Sequence, residues 1–336
     1  MMLRILVVVL VSFGMQTAVA GTLDDVRERG VLRCGANHDY AGFSAVDKKG
    51  RWWGLDVDLC RAVAAAVLGS ADAVEFLRLS DEFRFEALSR GDVDLLFRNT
   101  TETLSRDTAL GFNFTRSYFY DGQGFMVWAD LGARKLADLK TARVCVETGT
   151  TTLKTLRDFT RREKVTFDIR LYHSLDEMKV AFFSRECDTF SSDASALASI
   201  LSTDAPKGND FLILPERVSK EPLAGVVREG DEDWFDVVKW TLHGVIEAEE
   251  KGLTSGNLEQ MQAVKDPYIQ RLLGVAPGIG QTLGLDDQWL RRIIAQVGNY
   301  GEIYERNLGA AAPVTLDRGL NNLWTKGGLL YSPPFL

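Results

Sequence analysis

Two segments of the 336-residue chain place polar side chains directly after a predicted strand. In the first, DLLFRNTTETLSRD at residues 94–107, a predicted strand at 93–97 is followed by several hydrogen-bonding groups. These groups are Arg98, Asn99, Thr100, Thr101 and, in the first turns of a predicted helix, Arg106. An arginine fork can bind a carboxylate through two parallel hydrogen bonds, so this segment is a candidate site for a small carboxylate. An ordinary strand-to-helix loop, with Thr103 as helix N-cap and Arg106 in solvent, fits the same residues.

The second segment repeats this arrangement later in the chain. A predicted strand at 143–146 leads into the turn ETGTTT at 147–152, and a helix is predicted at 153–161. The backbone N–H groups of such a turn, with the hydroxyls of Thr150 and Thr151, are compatible with a bound anion. Two turns of this kind suggest a ligand held between two lobes.

Residues 1–20 have the composition of a secretory signal peptide. Arg4 provides a basic start, residues 5–11 are continuously apolar, and the tripeptide AVA at 18–20 is a small-x-small cleavage site. The stretch is too short to span a membrane, and no later stretch is apolar enough to do so. We therefore expect export, with cleavage after Ala20.

Composition and charge narrow the class of protein. With 46% hydrophobic and 26% charged residues, the chain has a globular profile and is long enough for two domains. Its formal net charge of -8 becomes -9 after cleavage, because the first 20 residues contain one arginine and no acidic residue. This acidic balance argues against nucleic acid or an anionic membrane surface as a partner.

The four cysteines would lie in an oxidising compartment after export. They allow three pairings, and we favour Cys34 with Cys60 and Cys145 with Cys187, because each bridge then closes within one lobe. Metal binding is the competing interpretation. The absence of C-x-x-C argues against it.

Predicted strands and helices alternate along much of the chain. The first series has strands at 31–35, 74–79 and 93–97 and helices at 57–68 and 84–90. A second series begins after residue 130, with strands at 143–146, 166–172 and 189–191 and helices at 153–161 and 175–184. This alternation predicts an α/β fold with two domains and ligands at the carboxyl ends of strands. Helices are also predicted at 234–251, 258–273 and 286–297.

Several stretches resemble a known family. Four of them resemble, in chain order, the periplasmic substrate-binding proteins of polar amino-acid ABC transporters (solute-binding protein family 3): VLRCGANHDYAGFSAVDKKGRWWGLDVDLCRAVAAAVLG, DVDLLFRNTTETLSRD, ARVCVETGTTTL and RECDTFSSDASAL. Three more are similar to its general L-amino-acid-binding subfamily: SKEPLAGVVREGDEDWFDVVKWTL, QVGNYGEIYERNLG and RGLNNLWTKGGLLYSPP. The resemblance covers essentially the whole exported chain.

The resemblance implies a two-lobed α/β fold, the type II periplasmic binding protein fold, with a central hinge and a helical C-terminal extension. It implies a first lobe of residues 22–127 with 225–336 and a second lobe of residues 130–222. The implied function is capture of an L-amino acid in the periplasm and delivery to inner-membrane ABC permease subunits. The implied protein is a monomer without cofactor, metal or catalytic activity.

The resemblance also implies roles for individual residues. Arg106 would bind the α-carboxylate of the ligand, assisted by Thr101, Thr150 and Thr151. Asp193 would accept the α-ammonium group, Asn99 would add a contact, and Tyr40 would pack against the ligand side chain. These roles suit a zwitterion that leaves water, because each of its charges needs a partner. Purely structural roles are the alternatives: Asp193 would only cap the ASALAS helix, and Tyr40 would only be a core aromatic residue.

Three acidic residues are candidates for ligand specificity. Asp81, Glu102 and Glu147 depart from the family pattern or add carboxylates beside the two binding segments. If Glu102 or Glu147 points inward, we expect a preference for lysine or arginine over glutamate; solvated positions are the alternative. A second functional class is an enzyme on the same fold, a cyclohexadienyl or arogenate dehydratase, in which one of these carboxyls would be a general acid.

Overall fold

The computed structural model describes residues 21–207 and 210–336. The predicted signal peptide at 1–20, with its cleavage after Ala20, lies outside the described residues. Within the described ranges, no helix is both long and apolar enough to cross a membrane.

Thirteen strands are present in the described residues. They are β1 (Leu32–Ala36), β2 (Asp39–Tyr40), β3 (Ser44–Val46), β4 (Trp52–Trp53), β5 (Val74–Arg78), β6 (Leu95–Leu96), β7 (Phe112–Asp121), β8 (Gln123–Trp128), β9 (Arg143–Glu147), β10 (Asp168–Tyr172), β11 (Thr189–Asp193), β12 (Phe211–Ile213) and β13 (Glu221–Arg228). The long strands β7, β8 and β13 are not among the sequence predictions, and the strand predicted at 93–97 is shorter than expected.

Twelve α-helices accompany these strands in the described residues. They are α1 (Thr22–Arg29), α2 (Leu55–Leu68), α3 (Arg84–Arg90), α4 (Leu104–Ala109), α5 (Thr151–Glu163), α6 (Leu175–Phe183), α7 (Ala194–Thr203), α8 (Glu232–Glu250), α9 (Leu258–Gln262), α10 (Pro267–Leu272), α11 (Trp289–Gln296) and α12 (Tyr300–Leu308). Short 3-10 helices occupy Ala129–Leu131, Leu136–Asp138, Gln281–Leu283, Gly319–Asn321 and Trp324–Lys326.

The strands form two five-stranded sheets and one small three-stranded sheet. The first large sheet has the order β5-β1-β6-β13-β7, and the second has the order β10-β9-β11-β8-β12. In each, three strands are parallel to one another: β5, β1 and β6 in the first, and β10, β9 and β11 in the second. The other strands join by antiparallel pairing. In the first sheet β13 pairs with β6 and β7, and in the second β8 pairs with β11 and β12. The predicted α/β class is confirmed, with a second series of strands and helices after residue 130.

The chain passes between the two large sheets at Gly122 and returns between β12 and β13. The two crossing segments lie side by side. Val218 N donates to Gln123 O at 3.0 Å, and Asp121 lies opposite Glu221 in the antiparallel register of β7 and β13. Gly122 is needed here, since a Cβ would lie 2.8 Å from Ser219 O. The lobe boundaries at 127–130 and 222–225 stay a prediction; in the sheets, residues 123–127 belong to the second and residues 221–222 to the first.

The C-terminal third packs on the first sheet. The buried side chains of Trp234 on α8 and Trp289 on α11 belong to the same core cluster as those of α2 and α12. The helix predicted at 258–273 is two helices, because Pro267 has no N–H to donate and begins α10, whose N-cap is Asp266. Helix α12 is absent from the sequence predictions. Its capping box, Asn299 with Glu302, is a sequence signal that could have located it.

Both predicted disulfides are present. Cys34–Cys60 has a Cα–Cα distance of 6.2 Å and Cys145–Cys187 one of 5.7 Å, and they close 26 and 42 residues of sequence. Cys34 and Cys60 pack in the core cluster of the first sheet, and Cys145 and Cys187 in a cluster of the second. Each bridge therefore joins residues of one core cluster, packed around one sheet, and does not link the two sheets.

Replacing Cys145 and Cys187 together by serine is expected to lower the free energy of unfolding by about 2–5 kcal/mol, because the unfolded chain regains the freedom of that loop. Urea titration of the ligand-free protein measures the change. The variant keeps the Cys34–Cys60 bridge, so wild-type protein unfolded in reductant, in which both bridges are open, should be less stable than the variant. An unchanged urea midpoint would contradict the prediction.

Candidate functional site

A cavity lies where the carboxyl ends of the parallel strands of both large sheets meet. Its volume, with its opening to solvent included, is about 540 Å³. The predicted site residues in its wall are Tyr40, Asn99, Thr101, Arg106, Thr150, Thr151 and Asp193, together with Asp81 and Glu147. Residues 94–107 and 147–152 therefore meet at one cavity. Glu102 is not part of this wall.

Arg106 is held inside the cavity wall. Its side chain is 8% exposed, and its Nη1 donates to Thr101 O at 2.8 Å. The backbone N–H of Arg106 donates to Thr103 Oγ1 at 3.2 Å, so Thr103 caps α4 while Arg106 points away from solvent. Burial lowers the pKa of Arg106 to about 10, against the opposing effects of Glu221 and Asp193. The guanidinium remains cationic at neutral pH with donors available to a ligand.

Asn99 is held in an uncommon backbone conformation. Its φ of 36° lies in the left-handed region, which asparagine tolerates better than most residues. Its N–H donates to Asp56 Oδ2 at 3.1 Å, and Asp56 Oδ1 accepts from the Tyr118 hydroxyl at 2.6 Å. Burial raises the pKa of Asp56 to about 6. Within the described residues the buried Asn99 Oδ1 has no hydrogen-bond partner, so it is available to a ligand donor.

The ETGTTT turn forms the opposite wall. Thr150 is the N-cap of α5: its Oγ1 accepts from Leu153 N at 3.3 Å and donates to Glu147 O at 2.8 Å. The Thr151 hydroxyl donates to the buried Glu221 Oε2 at 2.9 Å. Both hydroxyls therefore have protein partners. At the start of the helix, the backbone N–H groups of Thr151 and Thr152 have no acceptor within it and are the donors that this turn can offer to a ligand.

Asp193 lies at the end of β11 and is 8% exposed. It occupies the N-cap position of α7, but its side chain makes no capping hydrogen bond. Burial raises the pKa of Asp193 well above its usual value, and the nearby carboxylates of Asp121 and Glu221 raise it further. A carboxylate in this setting is stabilised by an incoming cation, and an α-ammonium group is such a cation.

Tyr40 combines the two roles considered for it. Its ring belongs to the core cluster and packs on Phe43 with centroids 4.7 Å apart, yet it also lines the cavity. Its hydroxyl hydrogen-bonds to Ser195 Oγ, and Ser195 in turn donates to Asp121. Tyr40 precedes the first crossing between the sheets and Ser195 follows it, so this hydroxyl bridges the two sides of the cavity.

The structure adds Arg84, which the sequence analysis missed. Arg84 is 2% exposed, lines the cavity and pairs with Asp81, the same carboxylate that Arg98 contacts at 3.0 and 3.2 Å. Asp81 is therefore neutralised by two arginines. The D-x-x-R spacing of Asp81 and Arg84 in a helix start is a sequence signal for their pairing, but nothing local indicates that they face a cavity.

The structure distinguishes the two other specificity candidates, Glu147 and Glu102. Glu147, at the end of β9, lines the cavity, and burial raises its pKa to about 7 in spite of nearby Arg98 and Arg84. Glu102 lies outside the lining, and its backbone N–H donates to Pro222 O at 2.9 Å. Glu147 is therefore the carboxyl placed to meet a ligand.

Comparison with known proteins identifies the family. A family model described as bacterial extracellular solute-binding proteins, family 3, matches residues 32–254. The chain belongs to this family. A general L-amino acid-binding periplasmic protein of Rhizobium johnstonii is 44% identical, with 96% of this chain and 95% of the relative covered. A glutamate/glutamine/aspartate/asparagine-binding protein of Rhodobacter capsulatus is 47% identical, with 95% and 94% covered.

Among solved structures, a similar one is an ABC transporter periplasmic binding protein from Brucella ovis with glutathione bound. It has a TM-score of 0.91 at 44% identity and covers 95% of this chain and 100% of that chain. Family 3 membership confirms the type II periplasmic binding protein fold and makes this chain a periplasmic solute-binding component of an ABC transporter. The similar curated relatives are named as binding proteins, so the family 3 chain is not an enzyme, and the dehydratase alternative is set aside.

Proposed function

We propose that this family 3 protein captures L-amino acids as zwitterions in the cavity between its two sheets. The observation that carries the proposal is the placement of Arg106 and Asp193. These are buried groups of opposite charge that line one cavity from its two sides, Arg106 following a strand of the first sheet and Asp193 ending a strand of the second. Arg106 would bind the α-carboxylate together with the free N–H groups at the start of α5. Asp193 would bind the α-ammonium group.

The names of the relatives support the same ligand class. The proteins of Rhizobium johnstonii and Rhodobacter capsulatus are named for general L-amino acids and for glutamate, glutamine, aspartate and asparagine. Both share the whole length of this chain rather than one domain. Asn99, Thr101 and Tyr40 would complete the contacts, with the Tyr40 ring beside the ligand side chain.

Closure of two lobes about a hinge is part of the proposal. The lobes would comprise residues 22–121 with 221–336 and residues 123–213, hinged at Gly122 and at the returning segment. Contacts that join the two sides support a closed state: Tyr40 with Ser195, Asp39 with Lys179 at 3.6 Å and Arg78 with Asp176 at 3.9 Å. A ligand that contacts both lobes would favour this state, and the closed monomer would then deliver it to the ABC permease. Export through cleavage after Ala20 completes the proposal.

A thermal-shift panel of the twenty L-amino acids tests the ligand class. Binding stabilises the folded protein by about 2.7 kcal/mol when the ligand is at 100 times its Kd, which raises Tm by several degrees. Amino-acid methyl esters, which lack the carboxylate, and deaminated acids, which lack the ammonium, are matched controls and should give no shift. The absence of a shift with every L-amino acid would overturn the proposal.

Glutathione belongs in the same panel as a second ligand class. The Brucella ovis structure has glutathione bound, and the γ-glutamyl end of this peptide has a free α-amino and a free α-carboxylate group. The same Arg106 and Asp193 contacts would accept it. A shift with glutathione that S-methylation preserves would exclude the thiol as the bound group, and loss of the shift on N-acetylation would assign binding to the γ-glutamyl end.

A further inference from the structure

The cavity contains a second set of charged groups beyond Arg106 and Asp193. Arg84 and Asp81 follow β5 of the first sheet, and Glu147 ends β9 of the second. The guanidinium carbons of Arg84 and Arg106 both lie against the Phe85 ring, at 4.9 and 5.3 Å from its centroid. The second set therefore lies next to the proposed carboxylate site, where the side chain of a bound amino acid would extend.

Arg84 has more donors than the protein satisfies. Its only ion-pair partner among the described residues is Asp81, and Asp81 is shared with Arg98. Its Nε is buried and has no hydrogen-bond partner in the described part of the chain. Two buried guanidinium groups thus share one carboxylate, which leaves one positive charge without an equal partner. An oxygen atom from a ligand would supply the missing acceptor.

Glu147 faces this cationic wall without joining it. No ion pair within 4.0 Å links Glu147 to an arginine among the described residues, although Arg98 and Arg84 are near enough to lower its pKa against the effect of burial. The other charged groups that act on it are Asp39 and Asp176, and both raise its pKa. A gap bounded by a guanidinium and a carboxyl matches a carboxamide, which accepts at its oxygen and donates from its nitrogen.

We propose that Arg84 and Glu147 form the side-chain subsite of this protein and select carboxamide side chains over carboxylate side chains. Arg84 donates to the side-chain oxygen, which glutamine and glutamate both offer. Glu147 accepts from the amide nitrogen, which only glutamine and asparagine offer, and as a carboxylate it repels glutamate. This inference rests on the proposed function, because it needs the ligand head group at Arg106 and Asp193.

The subsite also bears on cationic ligands. The sequence predicts a preference for lysine or arginine if Glu147 points inward. That preference would require a cavity in which no arginine opposes the charge of Glu147. Arg84 lines the cavity, and both Arg84 and Arg98 are near enough to Glu147 to lower its pKa, so both would repel a second cation at this subsite. Lysine therefore serves as the competing ligand in the test.

The test measures the affinity of glutamine, glutamate, lysine and alanine by calorimetry at pH 6 and pH 8. For the wild type, the glutamine-to-glutamate affinity ratio should rise by about tenfold between these pH values, as Glu147 loses its proton. In Glu147→Gln this pH dependence should vanish and glutamate should bind more tightly at pH 8. Alanine, which has no side-chain polar group, should change by less than about threefold, a factor worth ~0.7 kcal/mol.

Arg84→Met provides a second, independent variant. It should weaken glutamine and glutamate together by at least tenfold and leave alanine unchanged, whereas Arg90→Gln, an exposed arginine on the same helix, should change none of them. If Arg84→Met fails to fold, the pH profile of Glu147→Gln decides by itself. A ratio that does not change with pH or with Glu147→Gln, tighter binding of lysine than of glutamine, or binding of alanine without glutamine or glutamate would each overturn the subsite. Wild-type protein that binds none of these four but binds other L-amino acids overturns the subsite alone, whereas wild-type protein that binds none of the twenty overturns the proposed function as well.

Discussion

Replacing Arg106 by alanine is expected to weaken amino-acid binding by about 2–5 kcal/mol, or roughly thirtyfold to several thousandfold. The reason is that the ligand carboxylate would be buried without its charged partner, and the desolvation of that carboxylate would remain uncompensated. Because the α-carboxylate is common to all L-amino acids, every ligand should be weakened to a similar extent. Calorimetric titration with several amino acids measures this directly.

The control for this variant is Arg90→Ala. Arg90 is an exposed arginine that pairs with Glu86 and Asp92 at the surface, away from the cavity wall. The Arg90→Ala substitution removes one positive charge from the same lobe without changing a residue of the cavity wall. Its effect on Kd should be within experimental error. An Arg106→Ala protein that is folded and binds amino acids with the wild-type Kd would exclude Arg106 as the carboxylate partner.

Asp193→Asn is expected to separate binding from stability. Affinity should fall by at least about 2 kcal/mol, because an asparagine offers the α-ammonium group no charge partner. The ligand-free variant should nevertheless be more stable than the wild type near neutral pH. The folded-state pKa of Asp193 is raised, so the wild-type protein loses stability as pH rises from the unfolded-state value through the folded-state value, and asparagine removes that loss.

The same carboxyl predicts a pH dependence of binding. Without ligand, burial together with Asp121 and Glu221 favours the protonated form of Asp193, whereas a bound ammonium favours the ionised form. Binding therefore releases a proton below the pKa of the empty site, and affinity should fall as pH is lowered. Calorimetry in buffers of different ionisation enthalpy measures the released proton. A variant with unchanged Kd, or a wild type that binds without proton release at acidic pH, would contradict the assignment.

The largest features of this protein follow from local sequence patterns. Alternating apolar segments predict the α/β class, because strands and helices each need one buried face of fixed period. Thr103 and Thr150 lie at the helix starts that their types favour, since N-caps are satisfied within a few residues. The disulfide pairing was predictable because each pair of cysteines is close in sequence and packs within one sheet.

The positions at which the chain crosses between the two sheets were harder to predict from the sequence. Strand β8 is buried throughout and follows β7 after the single residue Gly122, so no change of composition marks the crossing. Only the hydrogen-bond partners of the two strands differ: β7 pairs with β13, and β8 pairs with β11 and β12. Partner choice between antiparallel strands depends on residues distant in sequence, so local patterns do not locate the point at which the chain changes sheet.

The sequence by itself determined which residues could hold a zwitterion, because Arg106, Asp193 and the ETGTTT turn are of the types that its charges need. The tertiary structure decided which carboxyl would meet the side chain of a ligand. Glu102 and Glu147 both follow a candidate binding strand, yet only Glu147 lines the cavity, and it faces Arg84 from the other sheet. This proximity of Glu147 and Arg84 depends on how the two sheets are positioned relative to each other. No local pattern of residue types encodes the distance between the sheets.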